Sequence, residues 1–121
     1  MTRESDDPFE IELTPDLILR AYQAGIFPMS ESADDPSIFW VSPEMRGIIP
    51  LDGFKVSKSL RKTLKKNPFS IHADRDFFAT IEGCATAGTD RDPTWINGTI
   101  VELYGELFEM GYCHTVEVYD G

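Results

Sequence analysis

Apolar residues recur at helical spacing in four segments of the chain, and residues that start or stop helices bound each segment. In the first segment, Thr14 is a suitable N-cap, Pro15 suits the first helical position and Gly25 suits the end. The pattern predicts helices over residues 14–25, 57–67, 74–85 and 99–111.

The caps and apolar faces of the last two helices are predicted separately. Asp74 is the expected N-cap of the third helix, and Thr99 with Glu102 has the spacing of a capping box for the fourth, which Gly111 ends. The residues expected to face inward are Phe77 or Phe78, Ile81, Cys84 and Ala85 in the third helix and Leu103, Leu107, Phe108 and Met110 in the fourth. In the second helix, Leu60 and Leu64 form the expected inward stripe.

Shorter apolar or alternating segments predict the strands. Residues 38–41, 69–73 and 113–119 are expected to be strands, residues 26–29 an apolar turn and residues 47–50 an extended piece before an Asp52-Gly53 turn. Asp120-Gly121 is a hairpin signal with no strand after it, so we expect a chain truncated within a larger sheet. A frayed terminal turn is the alternative.

The mixture of helices and strands predicts an α+β fold. At 121 residues and 41% hydrophobic content, the chain suits one globular core and is too short for two full-sized domains. We expect a loose tail over the first ten residues and a domain join near Met45 or Arg46, which divides the chain into residues 1–45 and 46–121.

Cellular location is predicted from what the sequence lacks. No run approaches the roughly 18 apolar residues of a membrane span, and the acidic N-terminus has no apolar signal stretch. These features predict a cytoplasmic protein that does not bind a membrane, with Cys84 and Cys113 as reduced thiols.

Positive charge is concentrated in one segment of an acidic chain. Six of the eleven Lys and Arg residues lie between Lys55 and Lys66, where no acid occurs, whereas the rest of the chain has five bases and all twenty-one acids. This separation indicates an anionic partner that binds through phosphate, with Lys58, Arg61, Lys62 and Lys65 on one side of the helix and Ser57 and Ser59 near its start. The alternative is a solvated helix face, which is the commoner reason for such a run.

Other kinds of site find little support. The sequence has no Gly-x-Gly-x-x-Gly, phosphate-loop or Gly-x-Ser-x-Gly motif, and Cys113 and His114 point to opposite faces of a strand, so we expect no metal site. His72 and His114 are expected to be satisfied by backbone groups rather than to act in catalysis.

Four aromatic residues lie near turns or element ends, where a ring can stack on a base: Tyr22, Phe27, Trp40 and Trp95. Packing in the core is the alternative for each ring.

Six short motifs occur in order along the chain. They are Ala21-Tyr22-Gln23-Ala24-Gly25-Ile26-Phe27-Pro28, Trp40-Val41-Ser42-Pro43 with Arg46, Ser57-Lys58-Ser59-Leu60-Arg61-Lys62, Glu82-Gly83-Cys84-Ala85, Thr94-Trp95-Ile96, and Gly111 with His114-Thr115-Val116-Glu117. Together they resemble the bacterial leucyl/phenylalanyl-tRNA–protein transferases, from about Leu13 to the last residue.

The resemblance implies an enzyme that transfers Leu or Phe from aminoacyl-tRNA to the N-terminal Arg or Lys of proteins, which marks them for N-degron degradation. It implies a small N-terminal domain followed by the first part of a GNAT-like acyltransferase domain, no cofactor, and a monomer. Its partners would be Leu-tRNA, Phe-tRNA and proteins with N-terminal Arg or Lys. The positions carried over are Lys58, Arg61, Lys62, Lys65 and Lys66 for the tRNA acceptor stem and Tyr22, Met29 and Trp95 for the terminal adenosine.

The sequence departs from the family pattern at several points. Met29 stands where many members have Trp, Val41 replaces the second Trp of Trp-Trp-Ser-Pro, and Met45 replaces a Pro. The segment Gly-Glu-Ser-Met-Phe-Ser of the amino-acid pocket, and the Asp and Gln implicated in catalysis, have no counterpart before Gly121. The resemblance therefore leaves the catalytic residues unassigned in this chain, which we expect to be inactive alone.

Two other functions remain open. One is a non-catalytic tRNA- or RNA-binding fragment, and the other is a GNAT-like acyltransferase that uses acyl-CoA.

Overall fold

The computed structural model describes residues 12–86 and 94–120. The elements, in order, are α1 (Pro15–Gln23), β1 (Phe27–Met29), β2 (Phe39–Val41), α2 (Lys58–Lys66), β3 (Phe69–Ala73), α3 (Phe77–Thr86), α4 (Gly98–Glu109) and β4 (Val116–Asp120). The predicted α+β class is confirmed. The expected N-terminal tail, most of the polar loop after α3, and Gly121 lie outside the described residues.

The first unit of the fold is α1 followed by a small hairpin. The Thr14 side chain accepts a hydrogen bond from Leu17 N at 3.2 Å, as its predicted role as N-cap requires. Gly25 follows the helix with a φ of +78°, a left-handed conformation that favours glycine. The interpretation of residues 26–29 as a turn is wrong, because β1 pairs antiparallel with β2 in the register Phe27↔Val41.

The core lies where α1 and α3 pack on α4. Ile18 of α1 packs against Leu103 and Leu107 of α4 in one buried cluster. On α3, Phe77 is the buried member of the Phe77/Phe78 pair, and its ring stacks on Phe108 at 4.3 Å between centroids. Of the other residues predicted to face inward, Cys84 and Met110 are exposed.

A second two-stranded sheet is made by β3, which precedes α3, and β4, which follows α4. β4 pairs antiparallel with β3, from Phe69↔Asp120 to Ala73↔Val116. The partner of the last strand therefore precedes it in sequence. β4 begins at Val116, three residues after the start of the predicted strand over residues 113–119. Val116 and Val118 are largely exposed.

Two helix caps differ from the prediction. Asp76 accepts from Ala79 N at the start of α3, whereas Asp74 has a φ of +57° and its carboxylate contacts residues near β4. Asn97, not Thr99, caps α4, since its side chain accepts from Ile100 N at 2.9 Å. In both cases an equally good capping residue lies two positions from the predicted one.

The inward stripe predicted for α2 is wrong. Leu60 is 42% and Leu64 is 52% exposed, because no other described helix or strand packs closely along this side of the helix. Residues 47–50 form no strand, and Ile48 and Ile49 are mostly exposed. The predicted turn after them is present, with Gly53 N donating to Pro50 O at 3.4 Å.

Candidate nucleic-acid interface

The basic residues of α2 lie on one face of a well-capped helix. With about 100° between successive residues, Lys58, Arg61, Lys62, Lys65 and Lys66 occupy a sector of roughly 140°, and the two leucines lie on the other side. All five basic side chains are exposed. Lys65 and Lys66 are in the last turn, where positive charge also stabilises the helix. The face has the regular spacing that contact with a phosphate backbone requires.

The start of α2 is organised around Ser57. Its Oγ accepts from Leu60 N at 3.2 Å and lies 3.3 Å from Ser59 Oγ. The Ser57 hydroxyl is therefore the N-cap of the helix. At the other end, Asn67 adopts a left-handed conformation with a φ of 45° and closes the helix.

No acid among the described residues neutralises the basic face. Across residues 12–86 and 94–120, the only ion pair joins His114 to Asp74, so no acid pairs with a base of α2. An anion approaching α2 meets uncompensated positive charge on a chain whose formal net charge is −10.

Tyr22 is held at the end of α1 by a contact with α4. Its hydroxyl hydrogen-bonds the Tyr104 hydroxyl, and the two rings meet edge to face with centroids 6.3 Å apart. Burial, followed by the hydrogen bond with Tyr22, raises the pKa of Tyr104 well above its usual value. Tyr104 is therefore neutral throughout the physiological range, and Tyr22 remains about half exposed.

Trp95 and Met29 are brought close through the backbone. Ser30 N, next to Met29 at the end of β1, donates to Trp95 O at 2.9 Å. Trp95 is 40% exposed and Met29 is half-buried, so both present side-chain surface to solvent.

The loop between β1 and β2 is fastened to α4 by two buried polar residues. Asn97 is 2% exposed, and its Nδ2 donates to Asp35 O at 2.9 Å and to Ser37 O at 3.3 Å. The buried Ser30 hydroxyl lies 3.0 Å from Asp35 O. The sequence prediction missed these residues, although Asn directly before Gly98 was a signal for an N-cap.

A cavity of about 220 Å³ lies beneath Trp95. It is lined by Phe77, Thr80, Ile81, Cys84, Trp95, Ile96, Ile100, Tyr104, Cys113 and Thr115. The cavity wall therefore includes both Trp95 and Tyr104, the residue that hydrogen-bonds Tyr22. Both cysteines are free, and burial raises the pKa of the Cys113 thiol.

The three positions expected to bind the terminal adenosine are linked to one another by contacts, but they are not linked to α2. Tyr22, Met29 and Trp95 are linked through Tyr104 and Ser30. In the described part of the chain, α2 makes no extensive contact with any other helix or strand.

A cluster of polar residues lies where β3 meets β4. Glu117 is buried, and its carboxylate accepts from Arg75 N at 3.1 Å and Thr115 Oγ1 at 2.7 Å. His72 contacts the Arg75 guanidinium at 3.1 Å rather than a backbone group. The expectation of backbone partners is met only by His114, whose Nε2 lies 3.2 Å from Gly111 O.

Residues 12–86 and 94–120 contain neither a candidate membrane span nor a candidate metal site. No helix there is long and apolar enough to cross a membrane. No three His, Cys, Asp or Glu side chains are grouped so as to hold a metal ion.

Comparison with known proteins gives matches over both parts of the chain. The family model described as leucyl/phenylalanyl-tRNA protein transferase matches residues 48–121, and the model for the N-terminal domain of that transferase matches residues 11–44. A leucyl/phenylalanyl-tRNA–protein transferase of Rhodopseudomonas palustris (strain TIE-1) is 57% identical over 108 residues. The match covers 89% of this chain and 48% of the relative, so the chain spans about half the length of that relative.

Proposed function

Because the chain belongs to the leucyl/phenylalanyl-tRNA protein transferase family, we propose that it forms the tRNA-binding part of an aminoacyltransferase. The reaction moves Leu or Phe from aminoacyl-tRNA to the N-terminal Arg or Lys of a protein in the N-degron pathway. The ester bond to tRNA breaks, and a peptide bond to the protein's α-amine forms. The observation that carries the proposal is the family match over both parts of the chain.

The basic face of α2 supports a role in binding the acceptor stem. Its five exposed cations share one side of a helix and have no acidic partner among the described residues. Each contact with a phosphate releases counterions, which makes binding strong at low salt and weak at high salt. The negative charge elsewhere on the chain disfavours other docking positions.

The terminal adenosine is assigned to the surface around Tyr22, Met29 and Trp95. Tyr22 is oriented by Tyr104, and the half-exposed Trp95 ring offers a face on which adenine can stack. The Met29 thioether supplies a polarizable contact at the position where many relatives have Trp.

The chemistry requires mainly alignment. The aminoacyl ester is already activated, so holding its carbonyl next to the incoming amine lowers the barrier without a covalent intermediate on the protein. Acidic residues near the site favour a cationic Arg or Lys terminus, and the loop at Asp35, which Asn97 fastens next to Trp95, is suitably charged.

Binding of tRNA by this chain tests the role of α2. We expect Arg61→Glu with Lys65→Glu to weaken binding of Phe-tRNA in a filter assay by about tenfold or more, and to reduce the salt dependence by about two phosphate contacts. Arg20→Glu with Arg75→Glu is the matched control, since it changes the charge equally at exposed positions outside α2. Equal losses in both double variants would remove the basic face from the proposal.

Transfer of label tests the reaction. The chain joined to the C-terminal portion of the Rhodopseudomonas palustris relative should transfer labelled Phe from Phe-tRNA to a peptide that begins with Arg. No transfer by this chimera, under conditions in which the intact relative is active, would contradict the proposed reaction. Binding of tRNA without transfer by the short chain alone would instead indicate the non-catalytic RNA-binding alternative.

A further inference from the structure

His114 lies between two hydrogen-bond acceptors from different parts of the chain. Its Nδ1 is 2.6 Å from Asp74 Oδ2, and its Nε2 is 3.2 Å from Gly111 O. A neutral imidazole carries a proton on one nitrogen only, whereas the imidazolium donates from both. The positions of the two acceptors therefore match the doubly protonated ring.

Asp74 extends this contact to the backbone before β4. Its own amide donates to Thr115 O at 2.9 Å, and its Oδ1 accepts from Thr115 N at 2.8 Å. The residue has a φ of +57°, a conformation in which Asp and Asn are enriched. Asp74 and His114 thus hold the turn between β3 and α3 against the turn between α4 and β4.

The residues on either side of His114 form part of the cavity wall. Cys113 and Thr115 both line the cavity that Trp95 also lines. We propose that the histidine clasp, made by Asp74, His114 and the Gly111 carbonyl, holds this wall in place and loosens it when His114 loses one proton. The inference concerns the free chain and does not depend on the transfer reaction.

The sequence of events follows from the two acceptors. A neutral ring keeps its proton on Nδ1, where the carboxylate of Asp74 is the stronger acceptor. Nε2 then presents a lone pair to Gly111 O, and that contact becomes repulsive. The turn after α4 is released first, while the bond between His114 and Asp74 remains.

Asp74 is the charged group that controls the proton on His114. The other titratable groups on β3, β4 and the two turns are His72, Arg75, Asp76, Tyr112, Cys113, Glu117, Tyr119 and Asp120. The Arg75 guanidinium lies over the Tyr119 ring and contacts His72, and Asp76 caps α3. Within the described residues, Asp74 is the only acid that forms an ion pair with His114.

The direction of the pH dependence follows from the same contacts. The hydrogen bond to Asp74, together with its charge, raises the pKa of His114 above the ordinary value of 6.5. The stabilisation is therefore complete below 6.5 and is lost as the pH rises through the higher pKa of the folded state. The hydrogen bond from Thr115 N, with that from His114, lowers the pKa of Asp74 below 3.8. The contribution of Asp74 to the stability of the folded chain is therefore present above pH 3.8, and it is lost as the pH falls through the lower pKa of the folded state.

Nuclear magnetic resonance of the His72→Gln chain tests the clasp. The sequence contains two histidines, so His114 is then the only imidazole that titrates. We expect its midpoint to lie above 6.5. Between about pH 5.5 and pH 8.5, the hydrogen-exchange protection factor of the Thr115 amide should fall by about fivefold or more. Protection factors correct for the intrinsic effect of pH on exchange.

Two variants in the same background separate the clasp from general stability. Asp74→Asn retains the left-handed conformation and an oxygen for Thr115 N, but it should lower the His114 midpoint. Because the Asn amide can donate to Nδ1 of the neutral ring, Nε2–H keeps its bond to Gly111 O, and the protection factor should not fall as the pH rises. His114→Gln should also give pH-independent protection. A midpoint at or below 6.5 overturns the proposal. So does a protection factor that stays constant in the His72→Gln chain while His114 titrates, or one that still falls with rising pH in either variant.

Discussion

Replacing Asn97 with Ala should destabilise the protein more than the loss of an ordinary helix cap. The side chain accepts from Ile100 N at 2.9 Å and donates to Asp35 O and Ser37 O, all from a position that is 2% exposed. Alanine removes these three hydrogen bonds at once. The change therefore affects both the start of α4 and the attachment of the loop between β1 and β2.

The magnitude can be built from the three contacts. Loss of the cap costs about 1 kcal/mol. The 2.9 Å bond to Asp35 O contributes about 1 kcal/mol. The 3.3 Å bond to Ser37 O contributes about 0.5 kcal/mol, because Ser37 is exposed and water can replace the donor. Asp35 O keeps the Ser30 hydroxyl as a partner. The free energy of unfolding should fall by about 2 to 3 kcal/mol.

Urea unfolding followed by far-ultraviolet circular dichroism measures this loss. With a slope of about 1.5 kcal/mol per molar urea, the midpoint should move down by roughly 1.5 M. Thr14→Ala is the matched control, since Thr14 caps α1 through Leu17 N and has no long-range hydrogen bond among those described. It should cost about 1 kcal/mol. The reasoning is refuted if Asn97→Ala costs no more than Thr14→Ala, because the bonds to the loop would then contribute nothing.

Four further substitutions should change the stability by different amounts. Gly83→Ala in α3 should raise the free energy of unfolding by about 0.5 to 1 kcal/mol, because its added Cβ has no described atom within 4 Å; Gly105→Ala should gain less, since its Cβ would lie 3.1 Å from the Phe78 ring. Thermal unfolding measures both changes. A loss of stability in Gly83→Ala would contradict the conclusion that the added Cβ meets no other atom. Ser57→Ala should reduce the helicity of α2 and lower the stability by about 1 kcal/mol, which circular dichroism detects. Phe77→Ala should cost about 3 to 5 kcal/mol in urea unfolding, and a cost below that of Ser57→Ala would show that the stacked phenylalanines are not core.

Helices were predictable where local signals and packing agree. Thr14 and Gly25 bound α1 as expected, and Leu103 and Leu107 face inward because the spacing of apolar residues places them on one side of α4. The leucines of α2 show the limit of this reasoning. An apolar stripe predicts which side of a helix can be buried, but burial also needs a neighbouring element.

Residues whose roles depend on distant partners could not be placed from local pattern. Asp74 is of a residue type that commonly caps helices, yet its carboxylate binds Thr115 and His114, about forty residues away in sequence. The basic face of α2 was fully predictable, since its spacing is a property of one helix. The link between Met29 and Trp95 required the fold, because it passes through a backbone hydrogen bond of Ser30.

The bonds from Asn97 to the loop before β2 also constrain the order of events during synthesis. They join residues 62 and 60 positions apart, so α1 and the hairpin of β1 and β2 cannot be fastened until Asn97 has left the ribosome. At ordinary rates of translation this delay is roughly 3 to 12 seconds, whereas a hairpin forms in about 10 microseconds. During the delay Ile18, which is fully buried in the folded chain, lacks Leu103 and Leu107 as partners. The nascent N-terminal segment therefore lacks its core contacts with α4 for several seconds in each round of translation.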